Sequence, residues 1–198
     1  ASNDMGDRKD MLQEALMAQR QMLIDAIGKP GEEIPQAFTP YKEVLDVYDE
    51  GLELPDDVTI IWPDDNYGYM KRLSSPKEQK RSGRSGVYYL GKPHDHLWMN
   101  TVSPTLMYEE LRKAYDATAD RIWLLNAGDI KSCEFAVDYF LTMAFDIDAF
   151  NFERAANYRT EWLCGMLGDQ YRNEYQDVVN SFYKLAFARK PEFMGWGY

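Results

Sequence analysis

Two adjacent carboxylates, Asp64 and Asp65, stand in the run WPDDNYGY at positions 62–69. They follow a β-branched apolar segment at 58–61, which is typical of a short buried strand. Polar groups in this position are costly to desolvate unless they are paired or used, and at the carboxyl end of a parallel strand they usually bind a ligand. We therefore interpret this run as a candidate site for a polar ligand. The alternative is an acidic turn that caps a helix at Asp65 or Asn66.

Two further apolar runs lead into polar loops of the same kind. Residues 87–90 run into GKPHDH at 91–96, and residues 122–125 run into NAGDIK at 126–131. Between them, residues 104–118 carry apolar side chains at helical spacing. Strand, loop, helix and strand in this order predict a parallel α/β sheet, whose ligand site lies beyond the carboxyl ends of its strands. Three loops converging on one edge indicate a site more strongly than any single motif.

Helical patterns lie on both sides of these strands. Apolar stripes predict further helices, at 7–27, 41–50, 134–144, 149–167 and 169–188. A Pro-rich connector at 30–40 joins the first two helices. Strand signals end near Ile147, so the sequence predicts two parts, an α/β segment at 1–147 and an all-α helical segment at 148–198.

The composition restricts the class of protein. The 198 residues are 45% hydrophobic and 14% aromatic, which favours a folded chain. The net charge of −11, without a basic run, argues against a nucleic-acid partner. No segment has the roughly 18 apolar residues that would cross a bilayer, so no membrane partner is expected. Cys133 and Cys164 match no metal-ligand spacing and are expected to be buried thiols, so neither a metal nor another cofactor is predicted.

The predicted sheet is too small to stand alone. Three parallel strands leave open edges and cannot close a barrel, which needs roughly eight strands. We expect the chain to be a piece of a larger protein. The alternative is that neighbouring chains complete the sheet in a homo-oligomer.

Four ordered motifs resemble glycoside hydrolase family 115, whose members are xylan α-1,2-glucuronidases. The motifs are WPDDNYGY at 62–69, SGRSGVYY at 82–89, NAGDIK at 126–131 and RKPE at 189–192. The resemblance spans most of residues 58–198 and implies the latter part of a (β/α)8-type catalytic barrel followed by a helical bundle. It also implies a secreted or periplasmic enzyme that removes glucuronic acid, or its 4-O-methyl form, from glucuronoxylan or a related uronic-acid-bearing oligosaccharide with inversion.

Inverting hydrolysis requires one carboxylic acid and one carboxylate roughly 6.5–9.5 Å apart, with a water molecule between them. Asp64 and Asp65 cannot supply both groups because neighbouring side chains diverge, whereas loops on non-adjacent strands can. The resemblance implies that Asp65, with Asp64 close behind, and Glu134 are the catalytic carboxylates, and it leaves the acid and the base unassigned. Alternatively, Glu134 is a first-turn carboxylate that complements the helix dipole.

A uronic acid also brings its own carboxylate, which cationic, phenolic and amide groups bind. The candidate substrate-binding residues are Lys131, Arg72, Tyr67 and Asn126. Lys131 is the best of them because it follows a strand directly; the alternative is a surface lysine. Asp129 either orients Lys131 or caps the next helix. His94 and His96 flank Asp95, and we expect His94 to bond to sugar hydroxyls rather than to a metal, because no third ligand stands nearby.

The chain departs from the family pattern after Tyr89, where family members carry an additional His and Tyr and this loop is a few residues shorter. The shorter loop affects how substrate would be positioned. Two other functions also fit the residues. A carbohydrate-binding or interaction module would present a flat aromatic platform, and a helical packing domain would use its acidic loops only as caps, with the carboxylates facing solvent on different faces.

Overall fold

The computed structural model describes residues 2–90, 100–128 and 130–189. Its sheet has four parallel strands, β1 Ala37–Phe38, β2 Thr59–Pro63, β3 Ser85–Leu90 and β4 Trp123–Asn126. The strands lie side by side in chain order. Strands in chain order are the arrangement of a (β/α) barrel, whereas a doubly wound sheet reverses its order at a switch point. The fold is therefore α/β with a partial barrel segment, which confirms the predicted class.

Helices connect and follow these strands. The α-helices are α1 Ser2–Ile27, α2 Glu43–Asp49, α3 Pro104–Asp116, α4 Glu134–Phe145, α5 Phe152–Leu167 and α6 Arg172–Ala188. Each begins and ends within five residues of a predicted helix, and α3 and α5 begin at side-chain N-caps. Ser103 illustrates such a cap, since its hydroxyl accepts a hydrogen bond from the amide of Leu106 at 3.2 Å, with Pro104 in the first helical position. Among these helices, none is long and apolar enough to cross a bilayer.

Strand β1 was not predicted. Its two residues lie in the segment expected to be a Pro-rich connector, and a strand of two residues is too short to show an alternating pattern. The pairing of Phe38 with Ile60 in β2 gives the segment its strand conformation. The sheet therefore has four strands where three were expected.

One face of the sheet carries the main core. Ile60, Trp62, Val87 and Tyr89 are fully buried and belong to one cluster with apolar side chains of α3 and α4, such as Leu111. Side chains alternate along a strand, so the residues between them point to the opposite face. That face is less covered, and Leu124 of β4 remains 44% exposed.

Helix α5 joins the same core as the sheet. Ala155 is buried in the main cluster, Tyr158 packs against it, and the rings of Tyr139 and Tyr158 lie 5.0 Å apart. Helix α5 also packs along α3. The two predicted parts thus share one core, and the boundary near residue 147 stays a prediction.

Candidate active site

The segment that follows β2, residues 64–70, forms a tight acidic loop at the carboxyl edge of the sheet. The amide of Asp64 donates to the carbonyl of Tyr88 at 3.1 Å and so continues the pairing with β3. Asn66 and Gly68 both adopt positive φ angles, of 69° and 95°. This backbone turns the chain back within a few residues. The carboxylates of Asp64 and Asp65 point different ways because adjacent side chains at a strand end diverge.

Asp64 is buried, at 5% exposure. Its carboxylate accepts hydrogen bonds from the amide of Leu90 at 3.3 Å and from the amide of Gly68 at 3.1 Å. Burial raises the pKa of Asp64 to about 7, with the charge of Asp65 adding to this, while the backbone hydrogen bonds act in the opposite direction. Asp64 is therefore able to hold a proton near neutral pH.

Asp65 lies at the more open side of the loop, with 20% of its side chain exposed. One carboxylate oxygen accepts hydrogen bonds from the amides of Tyr67 and Tyr69, at 2.9 Å and 3.1 Å. The other oxygen lies 3.3 Å from the ammonium group of Lys71. Asp65 is thus oriented by its own loop while one oxygen remains near solvent, which suits a carboxylate that meets a substrate.

Tyrosine and amide side chains link the strand ends across the sheet. Tyr41, which follows β1, donates to the side-chain oxygen of Asn66 at 3.2 Å, and its ring meets Tyr88 edge-on at 6.1 Å. Asn126 at the end of β4 donates to the hydroxyl of Tyr88 at 2.7 Å. The ends of all four strands are therefore connected through polar and aromatic side chains.

Tyr41 and Tyr88 were not among the predicted site residues. Tyr88 had a usable signal, because the alternation along β3 places it opposite the buried Val87 and Tyr89. Tyr41 had none, since its position depends on the unpredicted strand β1.

Two predicted residues, Lys131 and Glu134, follow β4 in the chain, and the carboxyl end of β4 lies at the same edge of the sheet as that of β2. Lys131 is exposed in a single 3-10 turn, Ile130–Ser132, and Glu134 is the half-buried first residue of α4. Strand β3 separates β2 from β4, so Asp65 and Glu134 follow non-adjacent strands, as expected.

Arg72 lies in a different environment. Its guanidinium stacks on Trp62 at 4.5 Å and bonds to Glu78 at 2.8 Å and to Asp49 at 3.2 Å. These contacts already neutralise its charge, and no described contact joins it to Asp65 or Asn126. Its role in substrate binding stays a prediction with less support than that of Lys131.

Two predicted residues, His94 and Asp129, lie outside the described residues. Tyr67 lies half-buried within the acidic loop. Within the described ranges, no group of three or more His, Cys, Asp or Glu side chains is placed to hold a metal ion.

Comparison with known proteins identifies the family. The glycosyl hydrolase family 115 model matches residues 1–193. The chain belongs to glycosyl hydrolase family 115. It is also similar to a solved structure of a family 115 4-O-methyl-α-glucuronidase with specificity for decorated arabinogalactans, at 41% identity and a TM-score of 0.89.

The similarity covers 96% of the present chain and 26% of the solved chain, so the present chain spans about a quarter of that relative's length. No curated protein sequence matches the chain significantly. Family 115 membership agrees with the resemblance carried by the four motifs, and the individual site residues stay predictions.

Proposed function

We propose that this family 115 chain supplies part of the active site of an α-glucuronidase, which hydrolyses glucuronic acid or 4-O-methylglucuronic acid side chains from a polysaccharide. The observation that carries the proposal is the placement of Asp65 and Glu134 beyond the ends of β2 and β4, with β3 between them. Two strand spacings amount to about 10 Å. Side chains that converge from such a distance can reach the roughly 6.5–9.5 Å separation of an inverting pair.

In the proposed reaction, one of these two carboxyl groups protonates the glycosidic oxygen as the bond to the sugar breaks. The other carboxylate takes a proton from a water molecule, which attacks the anomeric carbon from the opposite face. The α-linked uronic acid is therefore released as the β anomer. Asp64, next to Asp65 in the chain, is held by the amides of Gly68 and Leu90 and has a raised pKa, so it can keep a proton near neutral pH.

The carboxylate of the uronic acid needs its own binding group. Lys131 provides a cation and Asn126 an amide at the edge of the sheet that also carries Asp65. The Tyr88 ring lies beside Asn126 and provides an aromatic surface for the pyranose. Tyr67 extends this binding surface from the acidic loop.

Two polysaccharides are candidate sources of the uronic acid. The motif resemblance favours glucuronoxylan, and the similar solved enzyme, which is named for decorated arabinogalactans, favours that substrate. From the family resemblance we also propose a secreted or periplasmic enzyme.

The proposal is tested by incubating the chain with glucuronoxylan and, separately, with a decorated arabinogalactan, and by following the released sugar by proton NMR. Glu134→Ala and Asp65→Ala are compared with Glu161→Ala, an exposed residue of α5. Binding of free 4-O-methylglucuronic acid is measured on the same samples.

Release of the β anomer by the parent chain and by Glu161→Ala, but not by the site variants, is the expected result. Binding without hydrolysis in the parent chain would favour the carbohydrate-binding module. Equal hydrolysis by all variants would exclude Asp65 and Glu134 as the catalytic pair. Neither binding nor hydrolysis would show that the 198 residues do not form a uronide site by themselves.

A further inference from the structure

The acidic loop is held from outside by two side chains that belong to other elements. Glu110 of α3 and Tyr89 of β3 each bond to its backbone. We propose that Glu110 and Tyr89 are positioning residues that fix residues 66–70 so that the carboxylate of Asp65 faces the substrate. This inference rests on the proposed function, because it presumes that Asp65 acts on a substrate.

Glu110 makes the more informative of the two contacts. It is buried, at 6% exposure, on the face of α3 that also carries Met107, Leu111 and Ala114. One carboxylate oxygen accepts a hydrogen bond from the amide of Met70 at 2.8 Å, and the other pairs with Lys113 at 2.8 Å. A buried carboxylate in an apolar stripe is costly unless it makes such bonds. Packing alone would be better served by an apolar side chain.

Tyr89 holds the middle of the loop. Its fully buried hydroxyl donates to the carbonyl of Gly68 at 2.9 Å. Burial, together with the charges of Asp64, Glu110 and Asp65, keeps the pKa of Tyr89 well above its ordinary value, so the hydroxyl retains its proton. A Cβ atom at residue 68 would lie 2.9 Å from this hydroxyl, which shows how closely the loop is seated on it.

The position of these contacts relative to Asp65 argues for a role in orientation. Asp65 is oriented by the amides of Tyr67 and Tyr69. The Tyr89 contact at residue 68 lies between those two amides in sequence, and the Glu110 contact at residue 70 lies directly after them. Loss of either contact would therefore release the backbone groups that orient Asp65, while Asp64 would stay bonded to Leu90.

Glu109 provides a matched control. It is the neighbour of Glu110 on α3 and pairs with the same Lys113, at 3.0 Å, but its side chain is 46% exposed. Its described bonds do not include the acidic loop. Glu110→Gln is the conservative variant, because the amide oxygen can still accept the bond from Met70, and Lys113 can pair with Glu109 alone.

The test measures amide hydrogen exchange in the full chain by NMR, without substrate, for Glu110→Ala, Glu110→Gln, Glu109→Ala and Tyr89→Phe. We expect Glu110→Ala to speed exchange at Tyr69 and Met70 by about tenfold to a hundredfold, the range for a lost hydrogen bond to a charged group. Glu110→Gln should restore most of the protection, and Glu109→Ala should match the parent chain. Tyr89→Phe should speed exchange at Gly68 and Tyr69, which provides a second variant if Glu110→Ala does not fold.

Unchanged exchange at the loop in folded Glu110→Ala and Tyr89→Phe would overturn the inference, as would failure of Glu110→Gln to restore protection. Where the parent chain hydrolyses a uronide, Glu110→Ala should also lower kcat with little change in KM. A loosened loop with unchanged kcat would likewise overturn it. The two proposals fail separately: equal hydrolysis by the Asp65 and Glu134 variants would overturn the proposed function, whereas the exchange experiment, which needs no substrate, tests the loop contacts.

Discussion

Replacing Asp64 with Asn should flatten the dependence of folding stability on pH between about pH 5 and pH 8. The pKa of Asp64 is about 7 in the folded chain, against an ordinary value of 3.8. Between these values the folded chain keeps a proton that the unfolded chain has released. The stabilisation is therefore fully present below the ordinary pKa and is lost as the pH rises through about 7.

The size of the effect follows from the pKa shift. A shift from 3.8 to about 7 is about three pH units, and each unit corresponds to about 1.4 kcal/mol, so the pH-dependent contribution is about 4 kcal/mol at most. Asn does not titrate, but it offers one acceptor where Asp64 accepts from both Leu90 and Gly68. The lost bond costs about 1–3 kcal/mol. The variant should thus be less stable than the parent chain at pH 5, and the difference should shrink or reverse by pH 8.

Urea unfolding followed by tryptophan fluorescence at half-unit pH steps measures both curves. Asp177→Asn, at an exposed position on α6, is the control and should keep the pH dependence of the parent chain. Parallel curves for the parent chain and Asp64→Asn would refute the reasoning. A parent chain that becomes more stable from pH 5 to pH 8 would refute it as well.

Three further perturbations test other parts of the structure. Gly68→Ala should lower the free energy of unfolding by about 1–3 kcal/mol, because φ is 95° and Tyr89 leaves no room for a Cβ atom. Its control, Gly165→Ala in α5, has open space around the new Cβ atom and should be neutral or stabilising by up to about 1 kcal/mol. Thermal unfolding compares the two variants. Glu78→Gln should cost about 2 kcal/mol at pH 7 and less at pH 3, measured by urea unfolding. Although burial opposes the shift, hydrogen bonds from Arg72, Ser75 and Tyr48 lower the pKa of Glu78 to about 2, so its stabilisation is present above pH 4.5 and is lost as the pH falls towards 2. Tyr88→Phe removes the hydrogen-bond partner of Asn126 at an exposed strand end, so stability should change by less than about 1 kcal/mol. Because Asn126 would then be less well oriented, binding of 4-O-methylglucuronic acid should weaken several-fold in calorimetry. Unchanged binding would place the uronide elsewhere.

The sequence was sufficient for elements that depend on local pattern. Helix α3 begins at Pro104 as predicted, because Ser103 caps it and the apolar spacing continues to Ala114. Strand β2 was recognised from its β-branched run, although it extends to Pro63. Strand β1 could not be found in this way. Two residues carry no period, and only pairing with β2 makes them a strand.

The candidate site shows the same division between local and long-range information. The sequence placed Asp64 and Asp65 together but could not separate their roles, since their difference in burial depends on β3, whose Leu90 amide binds Asp64. Arg72 was a reasonable ligand for a uronic acid by charge, yet its contacts with Glu78 and Asp49 use that charge elsewhere. A charged residue near a site predicts binding only when its partners are known.

Glu110 was not predicted as a residue near the site, although the sequence carries a signal for it. Met107, Leu111 and Ala114 form the apolar stripe of α3, and Glu110 lies within that stripe rather than on the polar face. An acidic residue in such a position predicts a buried partner, because a carboxylate without one would destabilise the helix packing. The partner could not be predicted, since Met70 lies 40 residues away and its amide is exposed to Glu110 only when the acidic loop has turned. Most of the candidate residues for acting on a substrate therefore lie in or near the sequence motifs, whereas the residues proposed to orient them required the fold.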